Sequence, residues 1–414
     1  MADRFEIPLD IEGVKIERVD FTLQGEILIM VTSMVEGTRC HRCGQEIKDS
    51  YGYGRELKLR HLPILGKPTY LCIRPKRYIC RSCSDHPTTT QQLAWYDLRS
   101  PHTKAYEAHV LLVLVNSTVY DVSRKEGLGG EAVMGIIERH VGREVDWQEW
   151  NELPIIGIDE ISLRKGHRDF VTLISARSET GDIRVLAVLP DRQKATVKAF
   201  FASIPKRLRG TIREVCTDMY EGYINAAEEV LGSRVRVVAD RFHVAKLYRK
   251  GLDGLRKEEL KWLKEELPAE DYRGLKGSMW LVRKRPDQFT AEEQGVVKKL
   301  FNYSPRLGLA YFLVGTLTAI FDEPLAKSEA QLKIRAWMAV VKDSELTCFD
   351  SFLKSLAERM DIITNYFVER HNSGFVEGLN NKVKVIKRRC YGILNRFHLF
   401  QRLSIDLTGY ERFA

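Results

Sequence analysis

Apolar and polar positions change their period along this chain. Up to residue 100 the apolar runs are short and bounded by turn residues. "EILIMVTS" (26–33) reads as a strand, and "YGYGRELKLRHLP" continues in extended, Gly-bearing style. From 101 to 142 the spacing turns helical. "TKAYEAHVLLVLVNS" predicts one helix, "VYDVSRKEG" a second, and "EAVMGIIERHV" a third, with "LGG" as the turn between the last two. From 143 to 248 strands and helices alternate. "IIGIDEISL", "DFVTLISARS" and "DIRVLAVLP" predict three successive strands, with "ETGD" as a hairpin turn. "KATVKAFFASIP" (helix), "IREVCTDMY" (strand), "GYINAAEEVLG" (helix) and "RVRVVADRFH" (strand) follow. Residues 249–365 read as Lys- and Glu-rich helices. The last block carries a basic helix with an apolar stripe, a turn at Tyr391-Gly392 and a further helix.

Composition narrows the class. The 414 residues are 44% hydrophobic and 29% charged, ordinary for a globular chain, with a net charge of +9 that suits a polyanionic partner. No apolar run reaches the roughly 18 residues of a membrane span. The N-terminus, "MADRFEIPLDIEG", lacks the layout of a signal peptide. A cytoplasmic location is therefore expected, where thiols stay reduced. Four of the eight cysteines form two pairs, Cys40-His-Arg-Cys43 and Cys80-Arg-Ser-Cys83. Two such knuckles supply four thiolates for a structural Zn²⁺. Buried or redox-active thiols are the alternative. The strand-like stretch "KPTYLCIRPKRYIC" is expected to close the gap as a hairpin, and Gly44 to relieve the first knuckle. Cys72, Cys216, Cys348 and Cys390 read as apolar packing.

The strand order β-β-β-α-β-α-β predicts the mixed sheet of a ribonuclease-H-like fold, with spatial order 3-2-1-4-5. Acids fall at strand ends of that sheet: Asp159 on the first strand, Asp218 on the fourth, Asp240 on the fifth. Two Mg²⁺ ions (with Mn²⁺ able to replace them) running an in-line phosphoryl displacement need such carboxylates. Asp159 and Asp218 lie on neighbouring strands, about 4.8 Å apart. Asp240 sits one strand further and suits a supporting role beside His243 or Arg241. Glu160 alternates to the opposite face. The third acid is expected from a helix: Glu377, with Asn381, Lys384 and Arg388 along the same face. Arg164, Lys165 and His167 follow Asp159 closely and read as a phosphate-holding turn or as an exposed basic one. The helix pair before residue 142 resembles a helix-turn-helix. In that reading Glu131–Val141 enters the major groove with Arg139 and His140 as its contacts; a plain helical connector is the alternative.

The runs "GIDEISLRKGHRD", "ADRFHV", "VEGLNNKVKVIKRRCYG" and "CHRCG…HLPILGKP…RYICRSC" together resemble the transposases of the ISL-three family of bacterial insertion sequences, over most of residues 38–410. The resemblance implies an α/β multidomain protein in five segments. These are a zinc-binding β-rich DNA-binding domain (1–100), a helix-turn-helix (101–150), the first part of a DDE catalytic core (151–248), a helical insertion (249–365) and the rest of the core with the final acid (366–414). Its acids fall on Asp159, Asp218 and Glu377; preferring Asp218 to Asp240 rests on strand order. It implies a transposase that binds its element's terminal inverted repeats, cleaves them, and joins the 3′-OH ends to target DNA. Double-stranded DNA is the partner, a dimer or higher assembly the working form, the bacterial nucleoid the setting, and no membrane is involved. Two rivals remain: a zinc-finger and helix-turn-helix regulator with an inactive core, and a structure-specific nuclease of the same fold.

Overall fold

The computed structural model describes residues 8–164, 168–370 and 374–414, with backbone alone for 168–169 and 374–377. Two compact units are present: Met1–Val141 together with Ile405–Ala414, and Gly142–Ser404. No helix among the described residues is long and apolar enough to cross a membrane.

In the first unit, β1 (Val14–Phe21), β2 (Ile27–Ser33), β6 (Leu57–Ile64) and β7 (Lys67–Ile73) form a sheet of order β1-β2-β7-β6. Alternation along β2 puts Ile27, Ile29 and Val31 into a core with Leu59, Leu71, Ile73, Leu93 and Tyr96. Smaller strands surround the cysteine pairs: β3 (Thr38–Arg39) with β4 (Glu46–Ile47), and β5 (Ser50–Tyr53) with β8 (Lys76–Ile79) and β9 (Thr88–Thr90). The expected hairpin is corrected here. "KPTYLCI" and "KRYI" belong to different sheets, and β7 instead pairs antiparallel with β6. Leu65 and Gly66, both at positive φ, make the turn between them.

Helices α1 (Lys104–Leu114), α2 (Val119–Glu126) and α3 (Gly130–His140) match the sequence expectation. Thr103 and Thr118 cap the first two, and Gly127 ends α2 in the left-handed region. Their core holds Tyr106, Val110, Leu111, Leu114, Val133 and Ile136. Ile405 of the chain's last helix joins this core, and Asp406 accepts a bond from the Asn116 amide at 2.9 Å. The segment 366–414 therefore divides between the two units.

The second unit is centred on a five-stranded sheet of order β12-β11-β10-β13-β14, which is the 3-2-1-4-5 order expected. Its strands are β10 (Ile155–Arg164), β11 (Arg168–Arg177), β12 (Ile183–Leu189), β13 (Glu214–Thr217) and β14 (Arg236–Ala239). The first three run antiparallel to one another; β13 and β14 run parallel to β10. Helices α4 (Lys194–Ser203), α5 (Lys206–Arg209) and α6 (Glu221–Leu231) share a core with Leu153, Ile156 and Ile158. The helix α7 (Arg241–Glu266) begins at β14 and leads into the insertion. Short helices α8 (Ala269–Arg273) and α9 (Ser278–Leu281) precede α10 (Ala291–Tyr303), α11 (Pro305–Asp322), α12 (Lys327–Asp343), α13 (Asp350–Thr364) and α14 (Tyr366–Glu369). The apolar α11 lies deep in this core, and Trp337 donates to its Leu313 carbonyl at 2.8 Å. At Gly251 of α7 an added Cβ would meet the Cys348 carbonyl at 2.4 Å, so glycine permits that close approach. Ile155, Cys216 and Val238 of the sheet join the same core. Finally α15 (Gly374–Arg389) packs on β10, and α16 (Arg396–Phe413) ends the chain.

Candidate active site and zinc centre

Strand register brings the three aspartates together. Ile155 pairs with Glu214, and Glu214 with Arg236. Carried forward along each parallel strand, that register reaches Asp159, Asp218 and Asp240 side by side at the carboxyl ends. Neighbours in such a row are spaced by about 4.8 Å. Crevices at these strand ends are where open α/β sheets place their ligands.

Each acid has a different set of partners. Asp159 accepts from the Glu160 amide at 2.7 Å and from the Asn380 side-chain amide of α15. Burial pushes its carboxyl up from the ordinary value. The Glu160 amide and the charge of His243 oppose that, while the charge of Asp218 adds to it. Asp218 accepts from the Tyr220 amide at 2.9 Å. Asp240 caps α7, with one oxygen on the Phe242 amide and the other on His243 Nδ1, each at 2.7 Å. The Asp240 bond raises the His243 pKa against the effect of burial, and the charges of Asp159 and Asp218 push the same way. Glu160 points elsewhere. It accepts from the Tyr223 hydroxyl at 3.2 Å and lies 3.5 Å from Arg192.

Helix α15 supplies the remaining side chains. Leu379, Val383 and Ile386 are its buried stripe. Asn380 flanks that stripe and reaches Asp159; its own Oδ1 is buried with no hydrogen-bond partner among the described residues. Lys387, also on that flank, donates to the Ser162 carbonyl of β10, and burial lowers its pKa. Asn381, Lys384 and Arg388, singled out from sequence, sit on the exposed side instead. The choice between the adjacent asparagines turns on helical phase, and the stripe at 379, 383 and 386 was the signal that points to Asn380. Glu377 lies on the same helix, but its side chain is outside the described residues, as are Lys165 and His167. Arg164 is exposed at the end of β10.

Arg139 and His140 are corrected. Both bond the carboxylate of Glu107, a residue only 1% exposed, which also meets Ser100 at 2.8 Å and His102 at 3.4 Å. Burial alone pushes the Glu107 carboxyl up; the bonds from His102, His140, Arg139 and Ser100 outweigh it and hold it far below the usual range. A buried carboxylate needs such partners, so Arg139 and His140 tie α3 to α1 through Glu107. The exposed side chains of α3 are those of Glu131, Glu138 and Arg139.

The cysteines behave as the sequence predicts. The sulfurs of Cys40, Cys43, Cys80 and Cys83 lie within 4.8 Å of one another. Cys43 to Cys80 and Cys80 to Cys83 are both 3.7 Å. A tetrahedral Zn²⁺ with bonds of about 2.3 Å requires sulfur separations of about 3.8 Å. Backbone amides of Cys43 and Arg42 bond the Cys40 thiolate and lower its pKa to about 6. Gly44, at φ +74°, turns the chain so that its amide reaches the Cys40 carbonyl. Cys72 and Cys216 are buried, Cys348 and Cys390 partly so.

Comparison with known proteins agrees with this arrangement. A transposase family model of the ISL3 DDE type matches residues 156–403. The zinc-finger of transposase IS204/IS1001/IS1096/IS1165 matches residues 36–83, which contain all four clustered cysteines. The chain is similar to the transposase for insertion sequence element IS1001 of Bordetella parapertussis, 25% identical over 406 residues and 97% of each chain. It is also similar to the transposase for insertion sequence element IS1557 of Mycobacterium tuberculosis, 23% identical over 393 residues, 90% of this chain and 86% of that relative. A solved Drosophila P element transposase strand transfer complex aligns at 10% identity with a TM-score of 0.40, over 74% of this chain and 92% of that one. That likeness is too loose to carry an argument. The family match spans more than half of the chain and includes Asp159, Asp218, Asp240 and α15, and on that ground the chain belongs to the ISL3 family of DDE transposases.

Proposed function

We propose that this transposase binds the terminal inverted repeats of its own insertion sequence, cleaves the DNA at their ends, and joins the freed 3′-OH ends to target DNA. The observation that carries the reading is the row of three aspartates at the carboxyl ends of neighbouring strands, whose first member, Asp159, is half-buried with the Asp218 charge beside it. Asp159 and Asp218, with Glu377 from α15, form an all-oxygen set suited to hard divalent cations. The partnerless Asn380 Oδ1 beside them is a further oxygen of the right kind. Mg²⁺ bound there, as two ions or with Mn²⁺ in its place, supplies activation of the attacking oxygen and neutralisation of the leaving one.

The chain's own groups divide the remaining work. Asn380 orients Asp159. Asp218 keeps one oxygen without a partner among the described residues, whereas both oxygens of Asp240 are taken by Phe242 and His243. Asp240 is therefore a positioning residue: it fixes the His243 ring beside the acid row and raises its pKa. Asn381, Lys384 and Arg388, exposed on α15, and Arg164 at the end of β10 contact the phosphate backbone. Recognition of the repeats falls to the zinc-bearing unit, and pairing of two ends makes the working form a dimer or larger.

The test uses the full chain and a duplex carrying one element end. Asp159→Asn is expected to lose cleavage in Mg²⁺ and keep end binding. Full cleavage by that variant removes the metal-holding role. Cleavage by the wild type without joining of a pre-cut 3′-OH end to a second duplex leaves a nuclease of the same fold.

A further inference from the structure

Among the described residues, strand β1 stands at an edge of the first unit's sheet and pairs with β2 alone. Its residues read Val-Lys-Ile-Glu-Arg-Val-Asp-Phe. A bulge between Ile16 and Arg18 shifts the pairing by one residue. Before it, Val14 and Ile16 oppose Ser33 and Val31; after it, Val19 and Phe21 oppose Ile29 and Ile27. These β2 residues form its buried face. The bulge thus puts Val14, Ile16, Val19 and Phe21 on one face of the sheet, which four residues at this spacing do not share along a regular strand. Lys15, Arg18 and Asp20 occupy the other. Val14 packs against the sheet's core, but the rest of the row is uncovered: Ile16 is 42% exposed, Val19 46% and Phe21 69%.

Charges and bulges usually keep an edge strand from pairing. Here they make the edge complementary to itself. Laid antiparallel against a second copy about a two-fold axis at the bulge, Val14 meets Phe21, Lys15 meets Asp20, Ile16 meets Val19, and Glu17 meets Arg18. Every charged residue faces its opposite and every apolar one faces an apolar one. Side chains directly opposite one another share a face, and only the bulge lets pairs of this register do so. We propose that β1 is a self-association surface: two copies of this chain join through antiparallel β1 strands, merging two four-stranded sheets into one. The strand's own charges cancel, so it has no bias toward nucleic acid, and a C2 contact of this kind is closed. The proposal is independent of the catalytic reading, since it concerns the protein without DNA.

The experiment is sedimentation velocity on the full chain from low to high micromolar concentration, without DNA. Lys15→Asp and Asp20→Lys each create two like-charge contacts per dimer, and each is expected to weaken association about tenfold or more. The double variant Lys15→Asp/Asp20→Lys exchanges the signs and is expected to restore it, which separates lost pairing from a damaged fold. A wild-type chain that stays monomeric throughout overturns the proposal and leaves the edge to a partner of another sequence. Single variants that associate like the wild type, or a double variant that does not recover, overturn it too.

Discussion

Two carboxylates in this chain, Glu107 fully buried and Asp159 half-buried, have opposite surroundings. Glu107, between α1 and α3, is met by Arg139, His140, His102 and Ser100, and its pKa falls. Asp159, on β10, is met by an amide side chain, a backbone amide and the His243 ring at longer range, with Asp218 beside it, and its pKa rises. The first charge is fully compensated by the protein. The second has an amide, a backbone N–H and a neighbouring carboxylate around it, and burial outweighs the two donors. Buried ionisable groups therefore need not share a purpose: the balance of partners separates a structural acid from a chemical one.

Replacing each acid by its amide should break the comparison in opposite ways. Asp159→Asn is expected to cut strand cleavage by about a thousandfold or more, the scale of losing an electrostatic stabiliser, while the thermal stability of its unit stays level or rises. Glu107→Gln should do the reverse. Removing one partner of a buried ion cluster costs about 3–5 kcal/mol, seen as lost hydrogen-exchange protection in α1–α3 with cleavage rates affected only through folding.

Acid titration sharpens the contrast. Glu107 has a depressed pKa, so its contribution is complete above the ordinary carboxyl value of 4.5 and is lost as pH falls below it. Asp159 has a raised pKa, so protonation favours its folded state, and its unit gains from that group as pH falls toward the ordinary value of 3.8. Exchange protection followed from about pH 5.5 down to about pH 3, roughly one unit either side of these groups' ordinary range, should show α1–α3 weakening at the acid end in the wild type. Glu107→Gln should abolish that dependence.

Divalent cation provides a smaller effect. Mg²⁺ at saturating concentration should stabilise the catalytic unit by about 1–3 kcal/mol in the wild type, read by differential scanning calorimetry. Asp159→Asn should lose most of that gain. Arg139→Ala is the mildest change. It should destabilise α1–α3 by about 1–2 kcal/mol, yet leave the salt dependence of DNA binding where it was. A reduced salt slope would return Arg139 to the role of a phosphate contact.

Much of this was legible along the chain. The three-helix unit, the order of the five strands, the four clustered cysteines and the acids at strand ends follow from hydrophobic period and residue spacing, because those signals are local. The errors have one cause. "KPTYLCIRPKRYIC" looks like a hairpin because both halves are strand-like, but partner choice is made across sheets and cannot be read from either half. Arg139 and His140 look like groove contacts because they end an amphipathic helix; only folding delivers Glu107 to them. Spacing from Glu377 points to Asn381, whereas the face of α15 that meets β10 is set by the packing of Leu379, Val383 and Ile386 and presents Asn380. The sequence by itself determined which elements form and which chemical groups they carry. Tertiary structure alone decided which charges are compensated and which are left open, because that depends on neighbours distant in the chain and on the water their packing excludes.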